Sequence, residues 1–85
     1  MDSTYSLAYK NLGDALADEG KIDTAIILYK KCIALNPNFA GTYESMGFVY
    51  FKKGDVQGAI ALYQKAARLG SQDAREFLTR KGYDW

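Results

Sequence analysis

Apolar residues recur along this chain at helical spacing. Tyr43, Met46, Gly47 and Tyr50 stand at i, i+3, i+4 and i+7, which places them on one stripe of a helix. Tyr9, Leu12, Gly13 and Leu16 form the same stripe earlier in the chain. It breaks at Gly20-Lys21, and Ala25, Leu28, Tyr29, Cys32 and Ile33 make a second stripe. Gly20 and Gly54 suit the left-handed residue that ends a helix, and Asp55 suits the N-cap of the next one. Asn36-Pro37-Asn38 is a further break. Gly70-Ser71 closes the last long pattern, and Ser71 is placed to cap a final helix over 72–81. Ala74, Phe77 and Leu78 give that helix an apolar edge, and Asp73, Arg75, Glu76, Thr79, Arg80 and Lys81 make the rest of it polar.

Shifting the chain by 34 residues superimposes two copies of one unit. Tyr9 meets Tyr43, Gly13 meets Gly47, Gly20 meets Gly54, Ala25 meets Ala59 and Ile26 meets Ile60. Leu28 with Leu62, Tyr29 with Tyr63, Lys31 with Lys65 and Leu35 with Leu69 complete nine identities. Each copy therefore reads as two helices. A glycine inside a helix is worse than alanine by about 1 kcal/mol. Gly13 and Gly47 in mid-stripe accordingly predict a close helix approach, with Ala25 and Ala59 opposite them. The expected fold is all-α, with five helices in two antiparallel hairpins and a polar final helix that seals the stack.

Composition narrows the chemistry more than the partner. Apolar residues make up 48% and charged residues 25%, the balance of a soluble globular chain. Eleven basic and ten acidic residues leave a net charge of +1, without the field that marks a nucleic-acid binder. No apolar run has membrane-helix length, and Met1-Asp2-Ser3-Thr4 lacks the layout of a signal peptide, so the expected compartment is the cytoplasm. The chain has no histidine and a single cysteine, Cys32, on a core stripe. Neither metal spacing nor a nucleophile with its base is present, so no cofactor, no metal and no enzymatic activity are expected. Lys30-Lys31, Lys52-Lys53 and Arg80-Lys81 are scattered basic pairs near helix ends, where the helix dipole accounts for them.

These residues resemble the tetratricopeptide repeat (TPR), a helix-turn-helix unit of the same period. Tyr9, Leu12-Gly13, Ala25, Tyr29 and Pro37 carry the resemblance in the first copy, with Leu16 in place of an aromatic and Cys32 where a small residue is usual. Tyr43, Met46-Gly47, Tyr50, Ala59, Tyr63 and Ala66 carry it in the second, with Ser71 where the proline would stand. The resemblance implies one α-α superhelical TPR domain over 1–85, with repeats at 6–39 and 40–73, a capping helix at 72–81 and a tail at 82–85. It also implies an adaptor or scaffold that holds a protein or peptide on its concave face, with no nucleic acid and no membrane.

In this family the concave face is lined by the first helix of each copy. That carries over to Leu7, Lys10, Asn11, Asp14 and Asp18, then to Gly41, Glu44, Ser45, Phe48, Phe51 and Lys52, with Arg75, Leu78 and Thr79 from the cap. A carboxylate clamp for chaperone tails is known in the family, but it matches poorly here. Lys10 matches its first lysine and Arg75 stands in for the second, whereas Asp14 and Ser45 replace its asparagines and Thr79 its arginine. Asp14 would repel the carboxylate to be bound. Phe48 and Phe51 instead suggest an aromatic anchor, with packing against Phe77 or Leu78 the competing role for each ring. Self-association into a homodimer is the alternative reading, through Tyr5, Leu7 and Ile22 or Ile27. The tail Gly82-Tyr83-Asp84-Trp85 is expected to fold back on the last helix, with the role of a short aromatic ligand for another molecule's groove as the alternative.

Overall fold

Four helix ends are built alike. The backbone N–H of Lys21 donates to the carbonyl of Leu16, Asp55 to Tyr50, Ser71 to Ala66 and Tyr83 to Leu78, each at 2.8–3.0 Å. The residue before each donor is a glycine at positive φ, from 83° at Gly82 to 106° at Gly70. A Cβ-bearing residue is strained there, so Gly20, Gly54, Gly70 and Gly82 end their helices by the same closure.

The computed structural model describes residues 3–85, with side chains from Tyr5 onward; Met1 and Asp2, which fall within the expected 1–85 domain, lie outside the described residues. The helices are α1 (Ser3–Asp18), α2 (Ile22–Leu35), α3 (Ala40–Lys52), α4 (Val56–Arg68) and α5 (Gln72–Lys81). The described residues are all-α, and α5 occupies the span expected of the capping helix. Asp55 caps α4 as anticipated, its Oδ1 accepting from the Gly58 N–H at 2.9 Å, and the Ser71 hydroxyl accepts from the Ala74 N–H at 3.0 Å. Lys21 holds the corresponding place before α2 and offers no such acceptor.

The chain divides into two compact units, Met1–Asn38 and Phe39–Trp85. In the first, α1 packs against α2. Ala17, Ala25, Ile26, Tyr29 and Cys32 are buried, and the Cys32 thiol donates to the Ser6 carbonyl at 3.0 Å. A Cβ on Gly13 would stand 2.7 Å from Cε1 of Tyr29. The group that requires the glycine is thus the tyrosine ring, rather than the expected Ala25. In the second unit α3 packs against α4 and α4 against α5. A Cβ on Gly47 would meet the Tyr63 ring at 3.0 Å and the Ala59 carbonyl at 3.3 Å.

One other expectation about the core changes. Leu12, placed on the core stripe with Gly13, is 52% exposed. Consecutive helical residues point about 100° apart, so Gly13 faces Tyr29 of α2 while Leu12 turns to a side of α1 left uncovered. Tyr29 and Tyr43 are buried, but Tyr9, Tyr50 and Tyr63 keep one edge at the surface. Lysine ammonium groups lie near the first two of these rings, Lys31 Nζ 5.9 Å from Tyr9 and Lys53 Nζ 5.7 Å from Tyr50.

Ser6 conflicts with its surroundings. Its side chain is fully buried, and the hydroxyl has no hydrogen-bond partner among the described residues. Its counterpart in the second copy is Ala40. A buried polar atom left unmatched is unfavourable by about 1–3 kcal/mol, so Ser6→Ala is expected to stabilise the protein by about 1 kcal/mol. Thermal and urea unfolding of the two proteins measure this directly.

Candidate functional site

The first-helix strip of each unit can be followed residue by residue. In the first unit Leu7, Asn11 and Asp18 are exposed, while Lys10 and Asp14 are half-buried. Asp14 ties the strip to the hairpin beneath it. Its Oδ1 accepts from the Tyr29 hydroxyl at 2.6 Å, and its Oδ2 accepts from the Lys10 ammonium at 2.9 Å in a salt bridge one helical turn away. Both bonds are charge-assisted, and Tyr29 is 1% exposed, so the Asp14 carboxylate holds a buried hydroxyl in place. Lys10 is a paired cation rather than one presented to a ligand.

In the second unit Glu44 and Ser45 are half-buried, Gly41 is partly covered, and Phe48 and Lys52 are exposed. The two phenylalanines part company here. Phe51 belongs to an aromatic trio that joins three helices: its ring centroid lies 5.8 Å from that of Tyr63 and 5.6 Å from that of Phe77, edge-on. Tyr63 and Phe77 stack at 4.6 Å. Phe51 therefore has the packing role that competed with partner contact. Phe48 remains 55% exposed, and the Lys52 ammonium sits 5.3 Å from its ring centroid. Burial, with the nearby Glu44 carboxylate adding a smaller effect, raises the pKa of the Tyr63 hydroxyl, so Tyr63 stays neutral well past neutral pH.

The cap contributes less than its sequence suggests. Leu78, expected on the concave strip, is fully buried against the rest of its unit, so only Thr79 of that pair is exposed. Arg75 is half-buried and engaged twice. Its Nε–H donates at 3.0 Å to the Ala67 carbonyl, in the last turn of α4, which also accepts from the Gly70 N–H at 3.0 Å. Its guanidinium also stacks 4.5 Å from the Trp85 ring. Gln64 Nε2 donates to the Asp84 carbonyl at 2.8 Å. The tail thus folds back as expected, held at Tyr83, Asp84 and Trp85. A pocket of about 670 Å³ beside it is lined by Gln72, Arg75, Glu76, Thr79, Arg80 and Trp85.

Among the described residues no group of three or more His, Cys, Asp or Glu side chains is arranged to hold a metal ion. No helix there is long and apolar enough to cross a membrane. Sequence reasoning missed the link from Lys10 through Asp14 to Tyr29. The spacing of Lys10 and Asp14 signals their ion pair, but the reach to Tyr29 depends on how α1 and α2 pack.

The chain matches two family models, one described as TPR repeat over residues 13–54 and one as Tetratricopeptide repeat over residues 40–73. A search of curated proteins finds no match. Repeats of this kind generally mediate protein–protein interaction. With the tyrosine-under-glycine hairpins, the four matching helix closures and both family matches in agreement, this chain belongs to the tetratricopeptide-repeat family.

Proposed function

We propose that this protein is a non-catalytic adaptor that binds a peptide or helix of a partner protein on its first-helix strips, with Phe48 as the anchor. The observation that carries the reading is the contrast within the second unit. Phe51, Tyr63 and Phe77 pack on one another inside the fold, whereas Phe48 stands 55% exposed with the Lys52 ammonium beside its ring. An exposed aromatic ring rimmed by charge is the arrangement of an interface anchor. Glu44 and Lys52 flank the ring on one helix face, so the favoured segment carries an apolar residue between a basic and an acidic one. Leu7, Asn11 and Asp18 are exposed on the corresponding strip of the first unit.

A clamp for a C-terminal carboxylate is disfavoured by the same geometry. Lys10 is paired with Asp14, and Arg75 is committed to Ala67 and Trp85. We place the activity in the cytoplasm, in keeping with a single buried thiol.

The test starts by capturing partners on the immobilised protein and mapping the bound segment as a synthetic peptide. Phe48→Ala is expected to weaken that peptide at least about tenfold while leaving the helical signal and melting temperature unchanged, since truncating an anchor removes more than about 1.4 kcal/mol. Equal affinity for the variant and the parent protein would falsify the reading.

A further inference from the structure

Residues 83–85 follow α5 without helix and reach both α4 and α5. The closure at Gly82, in which the Tyr83 N–H donates to the Leu78 carbonyl at 2.8 Å, sets where they leave the helix. From there each residue is held differently. Tyr83 borders a cavity of about 240 Å³ shared with Val56, Ile60 and Gln64 of α4. Asp84 is gripped through its main chain, its carbonyl accepting from Gln64 Nε2 at 2.8 Å. The Trp85 ring lies against the Arg75 guanidinium of α5, 4.5 Å from centroid to guanidinium carbon. A main-chain bond flanked by two seated side chains is how a folded surface takes up a short peptide: the bond supplies affinity and the side-chain sites supply specificity.

The receiving groups are in place apart from that segment. Arg75 is fixed by the bond from its Nε–H to the Ala67 carbonyl, which leaves the flat face of the guanidinium for an aromatic ring. Ile60 is a core residue of the second unit, and Val56 beside it is 49% exposed. Neither Gln64 nor Arg75 is among the residues that the two copies share, since one period earlier stand Lys30 and Gly41. The repeat therefore does not require these two side chains, and both are directed to a peptide segment. Their hold on it is partial, because Tyr83 stays 45% and Trp85 44% exposed. A cation–π contact at an exposed site is weak, as is a single hydrogen bond there.

We infer that this α4–α5 face is a docking site for a segment of a partner protein with two aromatic residues separated by one other, and that residues 83–85 occupy it in cis. The segment seated there defines the chemistry of the occupant. One ring goes to the Val56 and Ile60 side of α4 and the next to Arg75, and the residue between them is read through its carbonyl, so its side chain is not selected. A partner has to displace 83–85, which compete as an intramolecular ligand. The site is separate from Phe48 on α3, and its failure would leave the role of Phe48 untouched.

Fluorescence anisotropy of a labelled peptide, Lys-Gly-Tyr-Asp-Trp, tests this against the 85-residue protein and its Trp85→Ala variant. Saturable binding to Trp85→Ala is expected, and binding to the parent should be at least about fivefold weaker because its own segment competes. Peptides with alanine in place of either ring should bind Trp85→Ala at least about fivefold more weakly, whereas serine in place of the aspartate should change little. These peptide changes leave the fold of the protein untouched. Adding Gln64→Ala to Trp85→Ala should also weaken the peptide, with the helical spectrum kept. No saturable binding to Trp85→Ala up to about 1 mM protein overturns the docking site, as does equal binding of the alanine-substituted peptides. Equal affinity for the parent and Trp85→Ala overturns the occupancy in cis. A parent protein whose sedimentation mass rises toward two chains with concentration, and falls back in Trp85→Ala, gives the site to residues 83–85 of a second copy and overturns the assignment to a partner protein.

Discussion

Replacing Leu78 with alanine is expected to destabilise the protein by about 2–5 kcal/mol, a large share of what a domain of this size possesses. Leu78 is fully buried, and α5 is only ten residues long with Ala74 as its other buried residue. Helices that short are not stable alone, so α5 persists through its packing on α4 and the contact of Phe77 with Phe51 of α3. Losing that anchor also loosens what α5 carries. Phe77 in the aromatic trio, the Arg75 bond to Ala67 and the stacking of Arg75 on Trp85 all depend on the position of this helix. The variant should therefore show a lower melting temperature and an altered tryptophan emission, since Trp85 is the only tryptophan. A variant as stable as the parent, with unchanged emission, would mean that α5 is not held by this side chain.

Gly13→Ala carries the second large effect, in a direction opposite to helix propensity. On propensity alone alanine should stabilise α1 by about 1 kcal/mol. Its methyl group, however, would lie 2.7 Å from the Tyr29 ring, and this ring cannot swing aside because it is 1% exposed with its hydroxyl bound to Asp14. Overpacking of this kind is unfavourable by about 1–3 kcal/mol, and the double restraint on Tyr29 puts this case at the upper end. The net expectation is a loss of about 1–2 kcal/mol. Gly47→Ala should be milder, because Tyr63 is only partly buried and its ring lies at 3.0 Å. Urea unfolding of both variants checks the order. An alanine at position 13 that stabilises the protein would contradict the packing described for the first hairpin.

The two glycines also show where the sequence was legible. Their place in mid-helix announced a close approach, because nothing else explains a glycine there, but spacing within one helix cannot say which group of the next helix arrives. The ring of Tyr29 was therefore missed in favour of Ala25. The capping helix was readable from Ser71 and its apolar edge, local chemistry that needs no tertiary information, while its closure at Gly82 came from the structure. Packing against the cap competed more strongly for Phe51 than for Phe48, but the two lie only about 60° apart on a helical projection, and which of them is covered depends on where α5 lands. Leu12 failed for a related reason, because a periodic stripe gives a direction on a helix without saying how wide a neighbour covers it. Arg75 read as a free cation until the α4 carbonyl and the folded tail were in view.

Site-specific photo-cross-linking shows whether the Phe48 side of the second unit receives a polypeptide. A photoreactive phenylalanine analogue placed at position 48, and in a second protein at exposed Ala61 on α4, reports which surface a bound chain touches in cell extract. The account predicts discrete partner adducts from position 48 and none of the same adducts from position 61. Adducts that form equally at both positions, or only at 61, would contradict it.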